Sequence, residues 1–409
     1  MPRRTLTHVA PAFEGTHVRT VDPRDTWAAL CIRVFPERPQ PFEEDWAALS
    51  ATLLNDTVFC PAQWVEPMDR KEWLSRYPAN VRDKLLRAGE NLKFTGLTRK
   101  ILTTNDVFPK IEPTQKIKPR VVINCHDGVK WSEGPWMVAF SNLHHRLWDK
   151  DHYIFDACGS HQDDLAAWVT ARRIEFGDVN CLKDDFTDYD NTHSKFSLKF
   201  CREYCERFGA SGDCLACLKG QELHQTYKTK DGTVIVVPPR LKSGVPNTTR
   251  YNIIANGAAH DFVYRSLGFT PGRDYRIMLL GDDNVTFCVP ALREQSREIS
   301  ARMRRLGFIS KIVPCDRHSL LFCSNAFYDI DGSAMPAPGP LPGRCLPKLG
   351  FTTAALGNNA NAHLAHRRGV ALGLIKQARH VPYIGAYLEV ELQVTAHVQF
   401  TPKEKHILQ

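Results

Sequence analysis

The chain has 409 residues, of which 43% are hydrophobic and 24% charged. That is the composition of a folded protein with a sizeable core, and it excludes disordered and fibrous classes. A formal net charge of +8 suits a polyanionic partner, because Lys and Arg release counterions when they neutralise phosphates.

Residues 1–60 are loop-rich, with Pro36, Pro39 and Pro41, and carry one helical pattern over 46–54. No apolar segment follows Met1-Pro2-Arg3-Arg4, so no secretory signal is expected. No window reaches 18 consecutive apolar residues, so no membrane-spanning helix is expected either. Residues 66–105 alternate helical and turn signals. The basic stretch Lys116-Ile117-Lys118-Pro119-Arg120 comes next. Proline biases Lys118 away from helix, and Val121-Val122-Ile123 reads as a strand.

A strand ending in acidic residues is expected over 173–186, then a helix from about 192 to 208. That helix would be capped by Asn191 or Thr192 and stopped at Gly209. Residues 234–237 read as a short buried strand, and 248–266 as a helix closed at Gly268. Over 275–289 two apolar runs flank Gly281-Asp282-Asp283-Asn284, the pattern of a hairpin. A helix over 291–306 and strands over 308–313 and 319–323 follow. The segment 335–347, rich in Pro and Gly, reads as a boundary loop, and the remainder as mostly helical. No internal repeat is present. The order predicts an α+β core with a largely antiparallel sheet. The thirteen cysteines are odd in number and scattered along a long chain, which points to a reducing compartment.

Three segments carry chemistry. The hairpin turn delivers Asp282 and Asp283 side by side, although Gly and Asp are also ordinary turn formers. In Asp184-Asp185-Phe186-Thr187-Asp188-Tyr189-Asp190, carboxylates gather at a strand-to-helix junction, where they repel one another unless cations are present. A helix dipole explains an acid such as Asp190 near a helix start, but not a strand that ends in acids. Between these lies Ser243-Gly244-Val245-Pro246-Asn247-Thr248-Thr249-Arg250-Tyr251-Asn252. Its hydroxyls could simply cap a helix, but Asn252 lies one turn beyond Thr248 on the same face, where capping has no use for it.

Asp185-x4-Asp190, then Ser243-Gly244-x3-Thr248-x3-Asn252, then Gly281-Asp282-Asp283 in a hairpin resembles palm motifs A, B and C of the RNA-dependent RNA polymerases of positive-strand RNA viruses. Their order and separations match that family. Lys116, Lys118 and Arg120 resemble its basic motif that contacts the incoming triphosphate. Lys311 stands where the family carries a lysine proposed to protonate the leaving pyrophosphate. Phe322-Cys323-Ser324 looks like the motif that grips the primer strand, with Cys323 and Ser324 as contacts.

The resemblance covers about residues 110–330 and implies a right-hand polymerase with an antiparallel-sheet palm. Fingers would come from 1–135, palm from 136–325 with a fingers insertion near 205–242, and thumb from 326–409. It implies two Mg²⁺ ions, with Mn²⁺ as an alternative, about 3.5–4 Å apart and held by oxygen ligands. Asp185 and Asp282 would be the main ligands and Asp283 an auxiliary one. Asp190, Ser243, Gly244, Thr248 and Asn252 would bind the nucleotide and sense its 2′-hydroxyl, the group that marks RNA. Implied partners are RNA template, nascent RNA, ribonucleoside triphosphates and other viral replication proteins. The implied place is the host cytoplasm, at membranes reached through those proteins. A reverse transcriptase shares palm aspartates, but the Asp190 and Asn252 pair favours ribose. A non-catalytic RNA-binding subunit would not need the full acidic set. Cys201, Cys205, Cys214 and Cys217, with His224 nearby, have spacings compatible with a structural zinc. Cys201 falls on the apolar stripe of its helix, however, and buried free cysteine is the preferred reading there.

Overall fold

The hairpin expected around Gly281 sits in the middle of a five-stranded sheet. In chain order its strands are β1 (Ile154–Asp156), β2 (Cys181–Phe186), β3 (Tyr275–Leu280), β4 (Asp283–Cys288) and β5 (Ser310–Cys315). Across the sheet they run β5-β2-β4-β3-β1, antiparallel throughout except where β3 pairs with β1 in parallel. The computed structural model describes residues 22–114, 118–349, 351–352, 356 and 359–398, with the backbone of short strands at 7–8 and 17–18.

Alternation along the strands sorts side chains to two faces. Leu182, Phe186, Ile277, Leu279 and Cys288 join the large core, which also holds residues of the helices α1 (Asp127–Leu147), α3 (Lys195–Arg207), α4 (Thr248–Ser266) and α5 (Ser296–Arg305). Cys181, Met278, Val285 and Phe287 meet Trp168 and Val169 of α2 (Gln162–Phe176) on the other face. The chain is therefore α+β, with helices covering both sides of a mixed but mainly antiparallel sheet.

Helix α4 is the central post. Fourteen of its residues are buried, on every side of the helix, as expected of a helix surrounded by core. Its first turn is anchored by a buried ion pair between Arg250 and Asp156 of β1, with Arg250 Nη1 also 2.8 Å from His144 Nδ1. Asn252, Asn256 and His260 recur every fourth residue and so share one face.

A second, four-stranded sheet runs Val121–Cys125, Thr104–Pro109, Gln225–Thr229 and Val234–Val237 in spatial order. It carries the end of the basic segment at its margin. Toward the C-terminus, helices Ala360–Ala378 and Ile384–Val394 enclose a small core of Ala371, Ala378, Val381, Ile384 and Leu388. Arg367 and Glu391 tie them together at 2.8 Å. Among the described residues no helix is long and apolar enough to cross a membrane.

Several elements differ from expectation. Residues 173–176 belong to α2, which ends at Gly177 in a left-handed conformation (φ 91°) before β2 begins at Cys181. The helix expected over 192–208 is two pieces, Tyr189–Thr192 and α3. The second is capped by Ser194, whose backbone N–H in turn donates to Ser197 Oγ at 2.8 Å. Val234–Val237 is an edge strand rather than a buried one, with Val236 66% exposed. The helix expected over 291–306 breaks into Pro290–Arg293 and α5. The expected loop at 335–347 holds strand Ala337–Pro340, whose prolines are tolerated because it is an edge strand, and helix Pro342–Leu349.

Candidate active site

A cavity of about 810 Å³ opens where the two sheets approach. Strand β2 ends in it with Asp185, the β3–β4 turn enters it with Gly281, Asp282 and Asp283, and Asp190 and Asn252 line its wall. Ser243, Lys118 and Arg120 line it as well, whereas Gly244, Thr248, Lys311, Cys323 and Ser324 do not, and Lys116 lies outside the described residues.

The pleat explains why one of two adjacent aspartates points here. Asp185 is exposed to the cavity, whereas Asp184 turns to the opposite face and is 3% exposed. Asp184 is consumed internally: both its oxygens accept from Ser310 Oγ at 2.8 Å, and His260 Nε2 lies 3.1 Å from Oδ2, off line for a good hydrogen bond. The hairpin turn is tighter than expected. Gly281 (φ 65°) and Asp282 alone form it, while Asp283 pairs with Leu280 inside the ladder. Asp282 therefore projects from the tip and Asp283 is partly buried.

Burial, and then the charge of Asp282, hold the Asp283 carboxyl above its ordinary range; contacts from Cys323 and attraction from Lys183 oppose this. Burial and Asp282 likewise raise Asp190, against the hydrogen bond from Asn252. Carboxyls pushed up by desolvation and by one another are groups that a cation would stabilise. The donors are hard oxygens, which fits Mg²⁺. Asp185, Asp282 and Asp283 share the cavity but are not drawn into a shell. Among the described residues no three His, Cys, Asp or Glu side chains form a metal-holding group.

Asn252 Nδ2 donates to Asp190 Oδ1 at 2.8 Å. The loop before α4 is pinned to the four-stranded sheet. Ile123 N–H donates to Ser243 Oγ (3.1 Å) and Gly244 N–H to Ile123 O (2.9 Å). A Cβ on Gly244 would stand 2.7 Å from that carbonyl, so the close approach requires glycine.

Thr248 departs from expectation. Its hydroxyl donates back to the Lys242 and Val245 carbonyls, and Thr249 is the residue that lines the cavity. Lys311 pairs in register with Asp185 but is exposed and lies outside the cavity lining. Cys323 and Ser324 both have positive φ (51° and 64°) and form the two-residue turn between strands Leu321–Phe322 and Asn325–Tyr328, which sets Cys323 against Asp283. Non-glycine residues rarely occupy that region twice in succession.

One residue at the site has no sequence signal. Arg33, on the short helical turn Leu30–Val34, donates from Nη1 to Asp188 Oδ1 at 2.6 Å and from Nε to the Pro119 carbonyl at 2.9 Å. It thereby ties the basic segment to the loop after β2. Asn256 and Asn284, by contrast, are marked in the sequence, one by helical spacing from Asn252 and the other as the residue after the aspartate pair.

The four candidate zinc cysteines are buried in the core. Burial raises the Cys201, Cys205, Cys214 and Cys217 thiols. Cys201 Sγ faces the Tyr251 carbonyl at 3.7 Å, and His224 is exposed. All thirteen cysteines are free. No known family matches the sequence, and neither does any curated protein.

Proposed function

We propose that this chain is a palm-type nucleotidyltransferase and, more narrowly, an RNA-dependent RNA polymerase of a positive-strand RNA virus. The observation that carries the reading is one cavity holding Asp185, Asp282 and Asp283 beside the hydrogen-bonded pair Asp190 and Asn252. On this reading the central sheet with α4 is the palm, the four-stranded sheet belongs to the fingers, and the C-terminal helices form the thumb.

Nucleotide addition is in-line phosphoryl transfer, in which catalysis is mostly positioning and charge neutralisation. Asp185 and Asp282 would hold the metal ions, with Asp283 supporting them. When bound, such ions activate the primer hydroxyl and neutralise charge on the triphosphate. Lys118 and Arg120 supply cationic contacts for the triphosphate, Arg through its planar fork and Lys as a point charge. Asp190 and Asn252 offer an acceptor and a donor to a 2′-hydroxyl, and a site built on such bonds rejects a sugar that lacks the group. Lys311 remains the candidate proton donor because it pairs with Asp185 across the ladder.

Incorporation of UTP against dTTP on an RNA template tests the reading. Preference for UTP supports it. Preference for dTTP would make the protein a reverse transcriptase, and RNA binding without synthesis would make it a non-catalytic subunit.

A further inference from the structure

Between the aspartate turn and α4 lies a buried polar chain that touches neither substrate position. Asn256 Nδ2 donates to the Gly281 carbonyl at 3.0 Å, and Asn256 Oδ1 accepts from Asn284 Nδ2 at 3.1 Å. Asn284 Nδ2 is also 3.1 Å from His260 Nδ1, and Thr286 Oγ1 donates to Asn284 Oδ1 at 3.3 Å. His260 in turn faces Asp184, the neighbour of Asp185. Asn256, His260, Asn284 and Asp184 are each at most 3% exposed.

Hydrogen-bond satisfaction alone does not require this arrangement. Gly281 borders an open cavity, where water could serve its carbonyl. Placing a fully buried amide there instead fixes the turn to the helix. Asn252 and Asn256 are one helical turn apart on the same face of α4. One grips Asp190 beside the sugar position; the other grips the turn that carries Asp282.

We propose that Asn256 is a positioning and specificity-determining residue that couples sugar recognition to placement of the catalytic turn. A ribose engaged by Asp190 and Asn252 sets the register of α4, and Asn256 passes that register to Gly281 and Asp282. Discrimination between ribose and deoxyribose is then expressed in kcat as well as in binding. This rests on the polymerase reading above.

The test is steady-state incorporation of UTP and dUTP on an RNA template by wild type, Asn256→Ala and Asn256→Leu. The leucine is close to asparagine in volume but has no proton to give the Gly281 carbonyl, so it covers the case in which the cavity left by alanine disturbs folding. Melting temperature, RNA affinity and the Mg²⁺ concentration for half-maximal rate are measured alongside. The expected result is a fall in kcat for UTP of about 10- to 30-fold, with KM within about threefold and more Mg²⁺ required. The rate with dUTP falls less, so the preference for UTP shrinks, while melting and RNA affinity hold. Unchanged kcat, or equal losses for both nucleotides alongside a lowered melting temperature, would overturn the proposal. Wild type without any RNA synthesis would instead defeat the polymerase reading itself.

Discussion

Asn252 on α4 is fixed at both ends of its amide: Nδ2 donates to Asp190 Oδ1 at 2.8 Å, and Oδ1 faces His193 Nε2 at 3.0 Å. Burial holds the His193 imidazole down at about 4, so it is neutral near pH 7. With Nε2 donating to Asn252, its Nδ1 is left to accept from Ser197 Oγ at 3.3 Å. The Asn252 amide therefore cannot flip without breaking two bonds. Replacing it by alanine is expected to reduce the preference for ribonucleotides over deoxyribonucleotides by at least about tenfold. Competition between UTP and dUTP on one template measures this.

The tether from Arg33 to Asp188 leads to a second expectation. Asp188 also faces Arg38 Nη2 at 3.4 Å, and it adopts a left-handed backbone conformation (φ 51°). Asp188→Ala leaves two half-buried guanidinium groups without their carboxylate and loosens the link to Pro119. The segment carrying Lys118 and Arg120 then loses its footing, and KM for nucleotide should rise several-fold while kcat changes less. A double-mutant cycle with Arg33→Ala should give a coupling of about 1–2 kcal/mol.

Thr248 and Thr249 should separate cleanly although they are neighbours. Thr248→Val removes the hydroxyl that closes the loop before α4 and should cost about 1–2 kcal/mol of stability. Thr249→Val touches only the cavity. It should stay within about 0.5 kcal/mol of wild type in unfolding free energy and act on nucleotide KM. Urea melts and initial rates on both variants check the assignment.

How much of this was readable in the sequence depends on the range of the interactions. Gly281-Asp282-Asp283 lies between two apolar runs, so the hairpin and its aspartates were legible locally, and α4 likewise. Asp185 and Asp184 differ only in strand phase, which an expected strand over 173–186 does not fix, because Gly177 ends a helix and the strand begins only at Cys181. Arg33 was invisible because its partner Asp188 is 155 residues away and nothing near it in sequence marks it. Motif spacing points to Thr248 rather than Thr249, whereas the loop carbonyls decide which hydroxyl is free. The Asn252, Asn256 and His260 stripe stands at helical spacing, but spacing alone does not show that the stripe beyond Asn252 is buried against the aspartate turn.

Glu133 gives a pH-dependent expectation. It is wholly buried in α1, and burial pushes its carboxyl up to about 8 despite the Lys242 ammonium nearby. An acid whose folded value lies above its unfolded value keeps its proton in the native state while the unfolded chain loses it. Stability is therefore lost as pH rises, at about 1.4 kcal/mol per pH unit between 4.5 and 8. Glu133→Gln removes that dependence. The stability of the variant relative to wild type should grow across that window and level off above it, as urea unfolding at pH 5, 6, 7 and 8.5 would record.

The central claim is that Asp282 belongs to a metal site for RNA synthesis. Its most direct test is incorporation of labelled UMP on a defined RNA template with Mg²⁺, comparing wild type with Asp282→Ala at matched RNA occupancy. The account predicts template-dependent product from wild type and a loss of at least about a thousandfold in the variant, which should still bind RNA. Equal synthesis by both proteins, or none by wild type under conditions where it binds template and nucleotide, would contradict it.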